Sequence, residues 1–254
     1  MLLHSNILGE GKPFIILHGF LGTSDNWKTI GTEFSEKGFQ VHLLDQRNHG
    51  QSFWDDTFNY VVLAEDLKQY CNHYQLDDIV LLGHSMGGKT AMLFASLYPE
   101  LVSKLIIADI SPKFYPEHHQ TILKGLQAID FDVIKSRGDA DALLGDYIKD
   151  FGTRQFLLKN LYWKQKGELA FRMNLDVLVS NISEIGKALP DNSTFSKNTL
   201  FLRGGNSDYI LEKDGALISK HFPKATIITI KNAGHWLHAE NPKDFFEAVM
   251  AFVS

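Results

Sequence analysis

The feature that most constrains this chain is the stretch 80–90, which reads V-L-L-G-H-S-M-G-G-K-T. Its apolar start is typical of a buried strand, and the residues after it are good helix formers. Gly83 and Gly87 flank Ser85 in a G-x-S-x-G arrangement at the strand-to-helix turn. A serine on so tight a turn has strained backbone angles, and the positions two residues away must lack side chains to avoid collision. Because the hydroxyl then projects above the sheet at a helix N-terminus, the pattern predicts that Ser85 is a nucleophile.

Buried-strand patterns alternate with helical patterns on both sides of this turn. In the first half of the chain the strand patterns lie at 14–17, 41–44, 79–82 and 104–110. Their alternation predicts an α/β fold with a mostly parallel central sheet and helices on both faces. In such sheets the functional residues collect at the carboxyl ends of the strands. Four residues whose side chains can act in proton transfer or as a nucleophile fall at such ends: His18, Asp45, Ser85 and Asp109.

The alternation stops over residues 111–198 and resumes at 199. Helical patterns fill the interval, at 120–129, 140–151, 154–163 and 169–185. An interval of this length is too long for a plain loop, so we expect a helical cap inserted in a core formed by 1–110 and 199–254. Its aromatic residues are expected to form mainly the cap's own core, with a minority lining an apolar substrate pocket.

A serine nucleophile needs a base, and the base needs an acid that fixes its tautomer. In this architecture the chain order is serine, acid, histidine, and His235 follows the final strand on a loop after Gly234. His238 is a weaker competitor, because it lies three residues further on towards the last helix. The acid has two candidates, Asp109 at the end of one strand and Asp208 in a G-x-x-D setting after another. Spacing alone does not separate them.

An acyl-transfer site also needs two donors where the oxyanion forms. The backbone N–H of Met86, directly after the serine, is one candidate, and Phe20 in the loop after His18 is the other. We expect His18 itself to brace that loop by hydrogen bonding. His118 and His119 lack a third ligand at suitable spacing, so we expect a solvated cap surface there and no metal site.

Composition limits the partners that this chain can have. Apolar residues make up 44% and charged residues 22%. The net charge is −5 with no block of like charge, so the sequence shows no basic region that would indicate nucleic-acid binding. The single cysteine, Cys71, falls on an apolar helical stripe, which favours core packing and a reducing compartment. No apolar run is long enough to cross a membrane, and the first residues lack a secretory pattern. We therefore expect a cytoplasmic protein that binds no membrane; nothing in the pattern indicates its oligomeric state.

Six motifs occur in register along the chain: H-G-F-L-G, D-Q-R-N-H-G-Q-S, G-H-S-M-G-G-K, D-I-S-P, R-G-G-N-S and A-G-H-W-L-H-A-E. Together they resemble the bacterial YbfF esterase family and the related ABHD11-type hydrolases. The resemblance covers the whole chain and implies the α/β-hydrolase fold. It also implies a serine carboxylesterase that hydrolyses small acyl esters without a cofactor, with acyl-CoA thioesters as a second class of substrate.

The resemblance also implies a role for each matching residue. Ser85 corresponds to the nucleophile and His235 to the base, while Phe20 and Met86 correspond to the oxyanion donors. The aspartate of the D-I-S-P motif, Asp109, corresponds to the acid. One departure keeps Asp208 as the alternative acid, because this chain has an aspartate after G-G-N-S where the bacterial relatives usually have none.

Two other readings of the sequence compete with the esterase. The first is another enzyme of the same fold, such as a C–C bond hydrolase or a cofactor-free haloperoxidase. The second is a ligand-binding protein that retains the three residues without turnover. The complete oxyanion loop argues against the second reading.

Overall fold

The computed structural model describes residues 1–254, and its centre is a seven-stranded sheet. The strands are β1 (Ser5–Leu8), β2 (Lys12–Leu17), β3 (Phe39–Leu44), β4 (Ile79–His84), β5 (Val102–Ala108), β8 (Thr199–Gly204) and β9 (Ala225–Ile230). Their order across the sheet is β1-β3-β2-β4-β5-β8-β9. Only β1 is antiparallel to its neighbour; every other pair is parallel, as the alternation of strands and helices predicted.

Helices cover both faces of this sheet. They are α1 (Lys28–Ser35), α2 (Tyr60–Tyr74), α3 (Met86–Leu97), α9 (Gly215–His221), α10 (Leu237–Glu240) and α11 (Pro242–Val253). Successive side chains of a strand point to opposite faces, so β2 contributes to two separate cores. Ile15 and Leu17 pack with residues of α2 and α3, whereas Phe14 and Ile16 pack with α1 and α11. The apolar burial on both faces fixes the register of each strand against its neighbours. The register in turn fixes where the side chains at the strand ends lie relative to one another.

Residues 111–198 contribute no strand to the central sheet. They form α4 (Gln120–Gln127), α5 (Arg137–Tyr147), α6 (Phe151–Leu158), α7 (Leu175–Ser180) and α8 (Ile182–Ile185), together with the strands β6 (Leu161–Gln165) and β7 (Glu168–Phe171). Their apolar residues form a third cluster that also contains Phe20, Phe58 and Met86 from the sheet side. The interval therefore packs directly on the loops at the carboxyl ends of the strands.

The prediction of continuous helices over 154–163 and 169–185 is wrong. The strands β6 and β7 pair antiparallel, with Tyr162 opposite Ala170 and Trp163 opposite Leu169. Aromatic residues favour this half-buried, pleated arrangement over a helix. The reversal between the strands is at Gly167, whose φ of 84° is readily accessible to glycine.

The two ends of this interval are tied to the central domain by polar contacts. The ammonium group of Lys89, which is buried in α3, donates to the carbonyl oxygens of Lys113 at 2.6 Å and Lys187 at 2.5 Å. The hydroxyl of Tyr60 donates to the carbonyl oxygen of Ile185 at 2.7 Å. Cys71 of α2 is buried in the core that α2 and α3 share, as its place on an apolar stripe predicted. No helix combines the length and apolarity needed to span a membrane.

Candidate active site

Ser85 lies in the turn between β4 and α3, with φ 52° and ψ −117°. This backbone conformation is rare for a residue with a side chain, and close packing around the turn maintains it. A Cβ atom on Gly83 would collide with the carbonyl oxygen of Gly87, and one on Gly87 would lie 2.5 Å from the carbonyl oxygens of Leu17 and His18. The G-x-S-x-G spacing is thus a steric requirement of the turn in this chain.

A chain of two hydrogen bonds connects Ser85 to a buried carboxylate. His235 Nε2 lies 3.0 Å from Ser85 Oγ, and His235 Nδ1 lies 2.8 Å from Asp109 Oδ2. The imidazole is 23% exposed, whereas the Asp109 side chain is fully buried. An ionised carboxylate can only accept hydrogen bonds, so Nδ1 carries the proton and Nε2 is free to accept from the serine hydroxyl.

Asp109 follows β5 directly and has a φ of 50°. Its carboxylate accepts from the backbone N–H of Gly204 at 2.9 Å and from the hydroxyl of Ser207, in addition to His235. Asp208, the alternative acid, is exposed and makes no hydrogen bond to His235. The structure thus brings Asp109, and not Asp208, into contact with the imidazole.

His238, the competing histidine, points into the protein. Its ring stacks on Trp27 with centroids 3.9 Å apart, and burial lowers its pKa to about 3. It makes no hydrogen bond to Ser85, whereas His235 does. A buried, neutral imidazole stacked on an aromatic ring contributes to packing.

The two candidate oxyanion donors come from the loop after β2 and from the first residue of α3. Met86 is the first residue of α3, so its N–H has no partner within the helix. Neither the N–H of Met86 nor that of Phe20 donates to another protein group. Both amides are therefore available to an anion held at the end of the helix, where the helix dipole also favours negative charge.

His18 braces the loop that carries Phe20. Its Nδ1 donates to the carbonyl oxygen of Gly19 at 2.8 Å, and its Nε2 accepts from the N–H of Gln46 at 3.0 Å. Burial lowers the pKa of His18 to about 4, because the charged form would lose its hydration. The ring is neutral and both nitrogens are engaged, so it holds the loop in place without proton transfer.

Four residues that the sequence analysis left without a role surround the imidazole of His235. The ring of Tyr209 stacks on it at a centroid distance of 3.8 Å, and His84 Nε2 lies 2.8 Å from the carbonyl oxygen of His235. Glu240 accepts from the N–H groups of Gly234 and Trp236, on either side of the histidine. The fourth is Ser207, which donates to Asp109. Ser207, His84 and Glu240 all lie within the quoted motifs, but their partners depend on loops that meet only in the fold.

The expectation of a solvated surface is confirmed for His118, which is exposed, and is wrong for His119, which is half-buried. Both line the cavities beside Ser85, and His118 Nε2 lies 2.6 Å from the hydroxyl of Tyr209. The ring of His119 packs edge-on against Phe20, and burial lowers its pKa to about 3. No group of three or more His, Cys, Asp or Glu side chains is arranged to hold a metal ion.

Two cavities meet at Ser85. The larger, of about 510 Å³, extends past His235 and Trp236 to Phe156 of α6. The smaller, of about 20 Å³, is bounded by Met86, Ile182 and Ile185. The serine hydroxyl therefore stands at the junction of a wide cleft and a narrow recess.

Comparison with known proteins identifies the family of this chain. Residues 12–129 match the family described as alpha/beta hydrolase fold. Mouse sn-1-specific diacylglycerol lipase ABHD11 is 36% identical over 94% of this chain and 80% of its own, and Escherichia coli esterase YbfF is 31% identical over 96% and 94%. A solved structure entitled marine microorganism esterase is 41% identical, with a TM-score of 0.96 and 99% of both chains covered. The chain belongs to the α/β-hydrolase fold family.

Proposed function

We propose that this chain is a serine carboxylesterase that hydrolyses small acyl esters through an acyl-Ser85 intermediate, with acyl-CoA thioesters as a second class of substrate. The observation that carries the proposal is the continuous hydrogen-bonded chain from Asp109 through His235 to Ser85 at the floor of an open cleft. The broader class is firm: relatives spanning nearly the whole chain are named as an esterase and a lipase, and this chain is a carboxylic ester hydrolase.

In the first half of the proposed reaction, Ser85 Oγ attacks the ester carbonyl carbon while its proton passes to His235 Nε2. The carbonyl oxygen becomes an oxyanion and accepts from the N–H groups of Phe20 and Met86. The carbon–oxygen bond to the leaving group then breaks, and the leaving oxygen takes the proton from His235. The acyl group remains on Ser85.

In the second half, water attacks the acyl carbon and gives a proton to His235 Nε2. The bond to Ser85 Oγ breaks, the serine recovers its proton and the carboxylic acid leaves. Asp109 accepts from Nδ1 throughout and stabilises the imidazolium that forms in each half. Side chains and backbone amides of this chain supply every group that the reaction needs.

We also propose that residues 111–198 act as the cap that closes the cleft. His118, Ile122 and Phe156 from this interval line the larger cavity together with residues of the central domain. Such a cover excludes water from the leaving group and limits what enters.

The test is hydrolysis of p-nitrophenyl acetate, butyrate and octanoate by the wild type and by Ser85→Ala. We expect turnover to fall by at least about 10³-fold in the variant, because the residual rate would come from binding and the oxyanion donors alone. Ser180→Ala is the control, since that serine is exposed and lines neither cavity. A folded wild type without activity, or a Ser85→Ala variant that keeps most of it, would contradict the proposal.

A further inference from the structure

The two cavities at Ser85 differ in the groups that reach them. Ser85, His118, His119 and Tyr209 border both. His235 borders only the larger cavity, and Met86 borders only the smaller one. The reacting carbonyl must lie where they join, so the two halves of an ester have to occupy different cavities.

The position of His235 decides which cavity receives the leaving group of the ester and which receives the acyl chain. The leaving oxygen must lie within hydrogen-bond reach of His235 Nε2 to receive its proton. A leaving group therefore extends into the larger cavity, along Trp236 and Phe156. The other space that Ser85 borders is the smaller cavity beside Met86, and it is left for the acyl chain.

The smaller cavity holds very little. Its volume is about 20 Å³, compared with about 510 Å³ for the larger cavity. The smaller cavity is therefore the one that can limit the length of the group it receives. The walls that bound it combine apolar side chains, including Ile110, Ile182 and Ile185, with polar ones such as Glu117 and His118.

The wall of this cavity is fixed by contacts on both sides. The Tyr60 hydroxyl donates to the carbonyl oxygen of Ile185, and the N–H of Tyr115 donates to that of Gly186 at 2.8 Å. Gly186 lies so close to Tyr115 that a Cβ atom at this position would collide with its carbonyl oxygen. A wall held in this way resists displacement by a longer chain.

We infer that the recess bounded by Met86, Ile182 and Ile185 is the acyl site, that it selects acetyl and propionyl esters, and that the large cleft accepts a bulky leaving group. This inference rests on the proposed function and specifies its substrate. Ile182 and Ile185 are the specificity-determining residues for acyl length.

Two substrate series on the wild type test the inference without any variant. With p-nitrophenol as the common leaving group, we expect kcat/KM to fall at least about tenfold from acetate to butyrate and further to hexanoate, since one misfitting methylene changes discrimination by about 10–200-fold. With acetyl as the common acyl group, we expect kcat/KM to be kept when phenyl is replaced by 2-naphthyl. Equal rates on hexanoate and acetate would overturn the inference.

A pair of isoleucine variants then tests the assignment of the cavities. Ile182→Ala should raise the butyrate-to-acetate ratio of kcat/KM about tenfold, because it removes three carbons from the wall of the recess. Ile122→Ala is the matched control, since Ile122 is also a half-buried cap residue but borders only the large cleft. It should leave the acyl ratio unchanged.

The failures of the two proposals are distinguishable. If the wild type hydrolyses no ester, the proposed function fails. If the wild type hydrolyses esters and Ile122→Ala shifts the acyl ratio while Ile182→Ala does not, the esterase stands and the assignment of the recess is wrong. Should Ile182→Ala not fold, Ile182→Val offers a smaller enlargement with the same expected direction.

Discussion

Asp109 shows how single residues control the chemistry of this site. Its carboxylate is fully buried and accepts from three donors, so its negative charge is stabilised by hydrogen bonds and not by water. One of those donors is His235, and the carboxylate therefore holds the imidazole in the tautomer that can accept from Ser85. Asp208 is only one residue from Ser207, yet its side chain lies in solvent.

Replacement of each aspartate by asparagine separates their roles. We expect Asp109→Asn to lower kcat on p-nitrophenyl acetate by about 10³–10⁴-fold, because an amide can hold the imidazole in the wrong tautomer. Asp208→Asn should leave kcat within about twofold of the wild type, since exposed positions without partners tolerate substitution. A larger loss in Asp208→Asn than in Asp109→Asn would contradict the proposed role of Asp109.

Residue spacing could not separate these aspartates for a physical reason, and only the family resemblance favoured Asp109. Asp109 follows β5 and Asp208 lies in the loop after β8, and these strands are neighbours in the sheet, so both reach the same edge. The left-handed backbone of Asp109 and the donors Gly204 and Ser207 distinguish them. Those donors are about a hundred residues away along the chain, and local sequence patterns do not report contacts of that kind.

At the scale of elements, the turn from β4 to α3 determines where Ser85 can be. Because Gly87 has no side chain, the start of α3 can pack against the end of the neighbouring strand β2, at the carbonyl oxygens of Leu17 and His18. This local geometry is what the G-x-S-x-G spacing encodes, and it was predictable. The hairpin β6–β7 was not, because a short aromatic segment fits a helix or a strand until its pairing partner is known.

A methyl group at this turn should be costly. Gly87→Ala places a Cβ atom 2.5 Å from two backbone oxygens, and we expect a loss of about 1–3 kcal/mol in the free energy of unfolding together with reduced turnover. Urea denaturation monitored by tryptophan fluorescence measures the first. Gly145→Ala in α5 is the control, because no atom lies within 4 Å of the added methyl group there. It should be neutral or stabilising by up to about 1 kcal/mol. Equal effects of the two substitutions would show that the turn is not tightly packed.

For the whole molecule, buried histidines couple stability to pH. Burial lowers the pKa of five almost fully buried histidines: His18, His42, His49, His84 and His238. The unfolded chain binds protons at these sites below about pH 6.5, whereas the folded chain keeps them neutral to about pH 4 or lower. Their contribution to stability is therefore complete above pH 6.5 and is lost progressively as the pH falls below it.

Urea denaturation at pH 7, 6 and 5 measures this dependence. Each histidine contributes at most about 1.4 kcal/mol per pH unit in that window, so we expect a steep loss of stability towards pH 5. His42→Gln, remote from the candidate active site, should make the dependence shallower by up to that amount. His73→Gln should leave it unchanged, because His73 is exposed. A pH-independent stability between 7 and 5 would contradict the neutral, buried state of these rings.

The position of the candidate site in the whole molecule follows from the way the sheet is packed. A parallel sheet with apolar packing on both faces presents the ends of β4 and β5 and the loops after β8 and β9 at one edge. Residues 111–198 pack on that edge through a shared apolar cluster and line part of the cleft. The sequence was sufficient to predict the parallel sheet and the edge at which the candidate site lies. The size of the smaller cavity depends on how α8 packs beside Met86, which local patterns do not report.

The central claim is that Ser85 carries the acyl group during turnover, and mass spectrometry tests it most directly. The wild type is mixed with excess p-nitrophenyl acetate, quenched in acid within the first turnovers and measured intact, and the modified peptide is then sequenced. We expect the added mass of one acetyl group, located on Ser85 and missing from Ser85→Ala under the same conditions. Active wild type that shows no acetyl adduct when quenched within the first turnovers, or an adduct on another residue that survives in Ser85→Ala, would contradict the proposed mechanism.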